Sequence, residues 1–153
     1  FESRVFWICF LANPQTWRPE ELTALLGPNA LQSPFVIALQ QCEAFLVVRN
    51  TTRNMYTRLW CVAELIIAKK YTDLTIEVIG NMPPWAEEFG SDIGAGATCS
   101  NPEDILILRA TIAVTGLDVN ALVAEVIRAP PGSRLGEESM AQQAMNWLQH
   151  FMK

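Results

Sequence analysis

Apolar positions come in short blocks separated by polar, proline- and glycine-rich stretches, and the period changes from block to block. Residues 5–11 (Val-Phe-Trp-Ile-Cys-Phe-Leu) and Ala44–Val48 are unbroken β-branched and aromatic runs. Such runs predict strands buried on both faces, as in a parallel sheet. A third strand is predicted over residues 74–79, stopped by Gly80. Between these runs the period lengthens. Ser33-Pro34 reads as an N-cap followed by proline at the first helical position, opening a helix to about Cys42. Residues 55–70 predict one continuous helix closed by Lys69-Lys70, cations suited to the negative end of the helix dipole. Asn101-Pro102-Glu103 opens another helix, to about Val114, and Asp118 caps one that runs to Ala129, where Pro130-Pro131-Gly132 stops it. A last helix is predicted over residues 137–151, with Met140, Ala144, Trp147, Leu148 and Phe151 at helical spacing.

Strand, helix, strand, helix, strand, with buried-strand composition, implies right-handed βαβ crossovers. The expected fold class is α/β, a parallel sheet flanked by helices, with a tail that is all helix. Residues 1–80 form the α/β core, residues 81–100 a long loop, and residues 101–153 a helical remainder packed on the same domain. Residues 12–32 are a loop around one short amphipathic patch, residues 20–26.

The chain has 153 residues, 50% of them apolar and 18% charged, enough for one domain with a real core. No apolar run approaches the roughly twenty residues of a membrane-spanning helix, so no membrane span is expected. Phe1-Glu2-Ser3-Arg4 lacks the basic region and small-residue cleavage site of a signal peptide, and no Met opens the chain, which leaves open whether it is a fragment of a longer protein. Sixteen acids against eleven bases give a net charge of −5, which argues against nucleic acid as partner. The charge is uneven. Residues 44–70 hold five bases and the single acid Glu64, whereas residues 71–108 hold seven acids and no base.

Cys9, Cys42, Cys61 and Cys99 are far apart and three lie in apolar segments, which fits reduced core thiols and a cytoplasmic location. Asn50-Thr51-Thr52 then reads as plain polar loop rather than a glycosylation site. A single His150 leaves little for a metal site or a His-based dyad, so neither metal nor cofactor is expected. Glu64 stands out in the helix Tyr56-Thr57-Arg58-Leu59-Trp60-Cys61-Val62-Ala63-Glu64, because its neighbours three and four residues away are Trp60, Cys61, Ile67 and Ala68. No base lies within reach along the helix. Trp60 and Glu64 share one face, an indole beside a carboxylate.

Trp60-Cys61-x-x-Glu64-Leu65 resembles the W-C-x-x-E-L signature of TIR (Toll and interleukin receptor) domains. With Phe6-Trp7-Ile8-Cys9-x-x-Ala12-Asn13-x-Gln15 and Ser33-Pro34-Phe35-x-x-Ala38-Leu39, it is similar to the TIR-like domains of dinoflagellate and other protist proteins. The resemblance covers about residues 5–80, and extends in outline to Cys99-Ser100-Asn101-Pro102-Glu103-Asp104. It implies a flavodoxin-like sheet. Too few residues separate the first run from Pro34 to hold a further helix and strand, so the resemblance makes residues 5–11 the family's second strand and leaves open a truncated piece, a sheet completed by another chain or a cut-down fold.

In enzymatic members the matching Glu cleaves NAD to nicotinamide and ADP-ribose. The resemblance gives that role to Glu64, with NAD as substrate rather than cofactor, and puts Trp60 under the ribose or base. Residues 12–32, with Asn13, correspond to the family's mobile loop beside the cleft. Charge placement adds Arg49, Arg53 and Arg58 as candidates to meet a pyrophosphate. Other members are non-catalytic interaction or scaffold modules, and self-association is common to both kinds, so an NAD glycohydrolase, a protein-binding module and a subunit of a larger assembly all stay open.

Overall fold

A computed structural model of the chain describes residues 30–87, 94 and 96–135. The strand expected over residues 5–11, the patch at 20–26 and the helix expected over 137–151 lie outside the described residues.

Three proline or asparagine-type signals set helix starts as the sequence predicts. The Ser33 hydroxyl accepts from the Val36 N–H at 3.4 Å and Pro34 takes the first helical position of α1, Pro34–Leu39. Its last turn tightens into bonds from Gln41 N–H to the Ala38 carbonyl and from Cys42 N–H to the Leu39 carbonyl, so α1 closes three residues before Cys42. Asn101 caps α3, Pro102–Thr115, and Asp118 caps α4, Val119–Arg128. Gly116 ends α3 in the left-handed conformation, φ 67°, which a side chain resists.

Strands β1, Ala44–Val48, and β2, Thr75–Ile79, pair in parallel from Ala44↔Thr75 to Val48↔Ile79. The sheet departs from the expected all-parallel pattern at its other edge. A short β3, Arg134–Leu135, lies antiparallel to β2, with Ile76↔Leu135 and Glu77↔Arg134 paired, giving a mixed sheet in the order β1-β2-β3. The region expected to be wholly helical therefore contains a strand. The cause is Pro130-Pro131-Gly132-Ser133: Ser133 N–H bonds the Pro130 carbonyl at 3.1 Å with Gly132 at φ 79°, a turn that needs glycine at its third position and returns the chain to β2.

The expected helix over residues 55–70 is broken. Met55–Thr57 is a single 3-10 turn, Arg58 is extended, and α2 runs over Leu59–Tyr71. Arg58 is drawn straight because it bridges to Thr98: Leu59 N–H donates to the Thr98 carbonyl at 2.8 Å and Thr98 N–H to the Thr57 carbonyl at 3.0 Å. That bridge also ties Thr98 to the start of α2.

Val47, Ile76 and Val78 point to one face of the sheet and pack with Val62, Leu65 and Ile66 of α2, Leu108 of α3, and Val123 and Val126 of α4. A second cluster joins Phe35, Val36 and Leu39 of α1 to Ile67 and Ala68 of α2. Burying each such side chain contributes about 1.5–3 kcal/mol, so α2, apolar on most sides, is the keystone between the two clusters. At their carboxyl ends the strands are not buried on both faces as their composition predicts: on the opposite face Val48 and Ile79 are exposed and Ala44, Leu46, Thr75 and Glu77 half-buried, and among the described residues none of the six joins either cluster. Among the described residues no single helix is long and apolar enough to cross a membrane.

Candidate functional site

The first turn and a half of α2 carries Trp60, Cys61 and Glu64, all half-buried, while Leu59, Val62, Ala63 and Leu65 face the core. The Cys61 thiol is pushed up, chiefly by burial and next by the Glu64 carboxylate, with Arg58 pulling the other way. It stays protonated, a core thiol rather than a nucleophile.

Trp60 is engaged across the helix pair. Its indole N–H donates to Asp104 Oδ2 at 3.3 Å, and the Asn101 side-chain amide donates to Asp104 Oδ1 at 2.9 Å. Burial raises the Asp104 carboxyl above the usual carboxylate range, against the Trp60 hydrogen bond, which lowers it. Cys99, held by the Asn101 carbonyl at 3.4 Å, lies beside this group and is also pushed up by burial. The resemblance reached Asn101 and Asp104 only in outline. The asparagine cap next to acids in a first turn was visible in sequence, but its link to Trp60 was not.

Arg49 leaves β1 at its carboxyl end and turns to α4. Its Nη2 donates to the Val126 carbonyl at 2.7 Å and to the Ala129 carbonyl, and its Nη1 to the Gly80 carbonyl at 3.3 Å. Burial pulls the guanidinium below its ordinary value, yet arginine remains charged. A cation at the last carbonyls of α4 answers both the unpaired acceptors and the helix dipole. Arg53 and Arg58 are exposed. Asn13 lies outside the described residues, and of the 12–32 loop only the 3-10 turn Ala30–Gln32 is described.

Beside Arg49, at the carboxyl ends of β1 and β2, a cavity of about 10 Å³ has room for one water molecule. It is lined by Asn50, Met55, Tyr56, Pro83, Trp85, Val126 and Ile127 as well as Arg49; neither Trp60 nor Glu64 reaches it. Tyr56 Oη, Arg49 Nε and Asn54 Nδ2 are buried without a hydrogen-bond partner. Burial holds the Tyr56 phenol well above its ordinary value. Among the described residues no three His, Cys, Asp or Glu side chains gather as a metal cluster.

The arrangement thus keeps Trp60, Cys61 and Glu64 together at the start of α2, with Trp60 bonded to the start of α3, and assigns Arg49 to another part of the fold. Among the described residues the chain is a mixed α/β fold with a three-stranded sheet flanked by helices. Compared with protein-family models, with curated proteins and with solved structures, the chain matches none.

Proposed function

We propose that the chain is a TIR-like module that works by associating with further copies of itself. The observation that carries this reading is the outward side of α3. Leu106 and Val114 are 73% and 71% exposed, and Ala110 and Ala113 between them are exposed too. Spaced i, i+4, i+7 and i+8, they form one apolar stripe about 12 Å long. Isolated exposed apolar residues are ordinary, but a contiguous stripe marks a contact surface. The two alanines at its centre let a second helix approach closely, and self-association agrees with the resemblance in the sequence. In sedimentation equilibrium the wild-type chain is expected to associate as concentration rises, and Leu106→Glu with Val114→Glu to remain monomeric with unchanged helix content. A wild type that stays monomeric at every attainable concentration sinks this reading.

A second reading, NAD cleavage, is supported by one further observation. Glu64 is half-buried one turn beyond Trp60, and its charge is felt at the Cys61 thiol. A carboxylate fixed beside apolar surface stabilises the positive charge that grows on the ribose as the bond to nicotinamide breaks. The test is nicotinamide release from NAD by concentrated protein. Glu64→Ala and Glu64→Gln should each lower it by about 100-fold or more while the fold persists. No release by folded wild type excludes this reading and leaves the first untouched.

A further inference from the structure

We propose that residues 51–56, between β1 and α2, form a lid that opens and closes over a small recess at the carboxyl ends of β1 and β2, with Tyr56 as its latch. Neither the α3 stripe nor Glu64 is part of it.

The segment is fastened at its two ends. Before it, Arg49 N–H donates to the Ile79 carbonyl at 3.0 Å and the Trp85 indole N–H to the Asn50 carbonyl at 3.1 Å. After it, Thr98 N–H donates to the Thr57 carbonyl at 3.0 Å, and Leu59 N–H to the Thr98 carbonyl at 2.8 Å. These are the hinges. Between them, among the described residues, every hydrogen bond is local. Asn50 Oδ1 accepts from the Thr52 and Arg53 amides at 2.8 and 3.0 Å, Asn54 Oδ1 from the Tyr56 amide at 2.9 Å, and the Met55 carbonyl from the Arg58 amide at 3.1 Å. None ties residues 51–56 to the body of the fold. Thr51, Thr52 and Arg53 are exposed, Asn54 and Met55 half-buried, and Tyr56, 3% exposed, is the side chain that enters the core.

Packing of one ring therefore holds a preformed piece of chain, and that hold is opposed. Tyr56 Oη and Asn54 Nδ2 in the segment, and Arg49 Nε at the first hinge, are buried without a hydrogen-bond partner. Each meets water once the segment lifts, so all three oppose closure. Burial of the aromatic ring favours it. Because both effects are confined to a few residues that make only local hydrogen bonds, the segment opens by itself while the sheet stays folded. Beneath it lies the cavity, lined by Met55 and Tyr56 from the lid and by Pro83, Trp85, Val126 and Ile127 from the body, with Arg49 beside them. Closed, the cavity has room for one water molecule. Open, it becomes a recess with an apolar floor and a cation at its side, at the end of the strands where α/β sheets take their ligands.

Hydrogen exchange on the full chain tests this. A lone 3-10 turn does not persist in water, so the amides of residues 56 and 58 exchange whenever the lid is open. In the wild type they should exchange about 100-fold or more faster than the Ile66 and Val78 amides, at a rate that low urea barely changes. Tyr56→Phe removes the orphaned hydroxyl and keeps the ring. It should slow exchange at both positions about fivefold or more, without lowering the urea midpoint. Two results overturn the proposal. One is protection at residues 56 and 58 as strong as at Ile66 and Val78, which would mean that the segment leaves only when the whole fold does. The other is an exchange rate that Tyr56→Phe leaves unchanged or raises, which would mean that the hydroxyl does not oppose closure.

Discussion

Arg49 shows how one side chain acquires a use that its sequence neighbourhood hides. Read along the chain it belongs to a basic group with Arg53 and Arg58, and a phosphate is the natural expectation. Its actual acceptors, the Val126 and Ala129 carbonyls, lie 77 and 80 residues away, beyond any local pattern. Hydrogen bonds from a charged donor contribute about 1.5–3 kcal/mol, and Arg49→Met leaves those carbonyls unanswered. Urea unfolding of that variant should show a loss of about 1.5–3 kcal/mol, with Arg49→Lys recovering part of it; no loss would show that water serves the carbonyls equally well. Glu64 is the opposite case. Its isolation among apolar neighbours was legible at once, because i±3 and i±4 relations on a helix are local. The bond from its neighbour Trp60 to Asp104, 44 residues on, was not.

Elements were legible where their boundaries are chemical and local. Ser33-Pro34, Asn101-Pro102 and Asp118 announce helix starts through side-chain caps, and all three do cap. The start of α2 was hidden because nothing within residues 55–60 forces Arg58 straight; the force comes from Thr98, forty residues on. A second tertiary link, the Trp60–Asp104 hydrogen bond, clasps α2 to α3, and burial of Asp104 in that clasp gives the pair a pH dependence. Asp104 has its carboxyl raised in the fold, so the folded state holds the proton more tightly than the unfolded chain. Its stabilising contribution is present below the ordinary aspartate value of about 3.9 and is lost as pH rises through the raised folded value. Asp104→Asn removes that titration. Stability of wild type relative to the variant, from urea midpoints at a series of pH values, should therefore decline across this window; a difference that grows with pH would show that the Trp60 hydrogen bond to the carboxylate outweighs burial of Asp104.

For the whole molecule, buried-strand composition led to the right class, α/β, and to the parallel β1–β2 pair, but not to the antiparallel β3 or to the exposure of Val48 and Ile79. Val48 and Ile79 look like core residues because β-branched composition reports a strand and not which side of it is covered. The type of turn at Pro131-Gly132 was readable, yet a two-residue strand carries too little pattern to be seen beside it. This order of strands also bears on how the chain is made. β2 is central, and its partner β3 is synthesised about 55 residues after it. At about 5–20 residues per second, one edge of β2 waits roughly 3–11 seconds for its neighbour on the ribosome. An unpaired apolar strand invites pairing with another nascent chain, and a charge on it deters that. Glu77, midway along β2, is such a charge throughout the wait, and Arg134, when it emerges, converts the guard into the ion pair that seats β3.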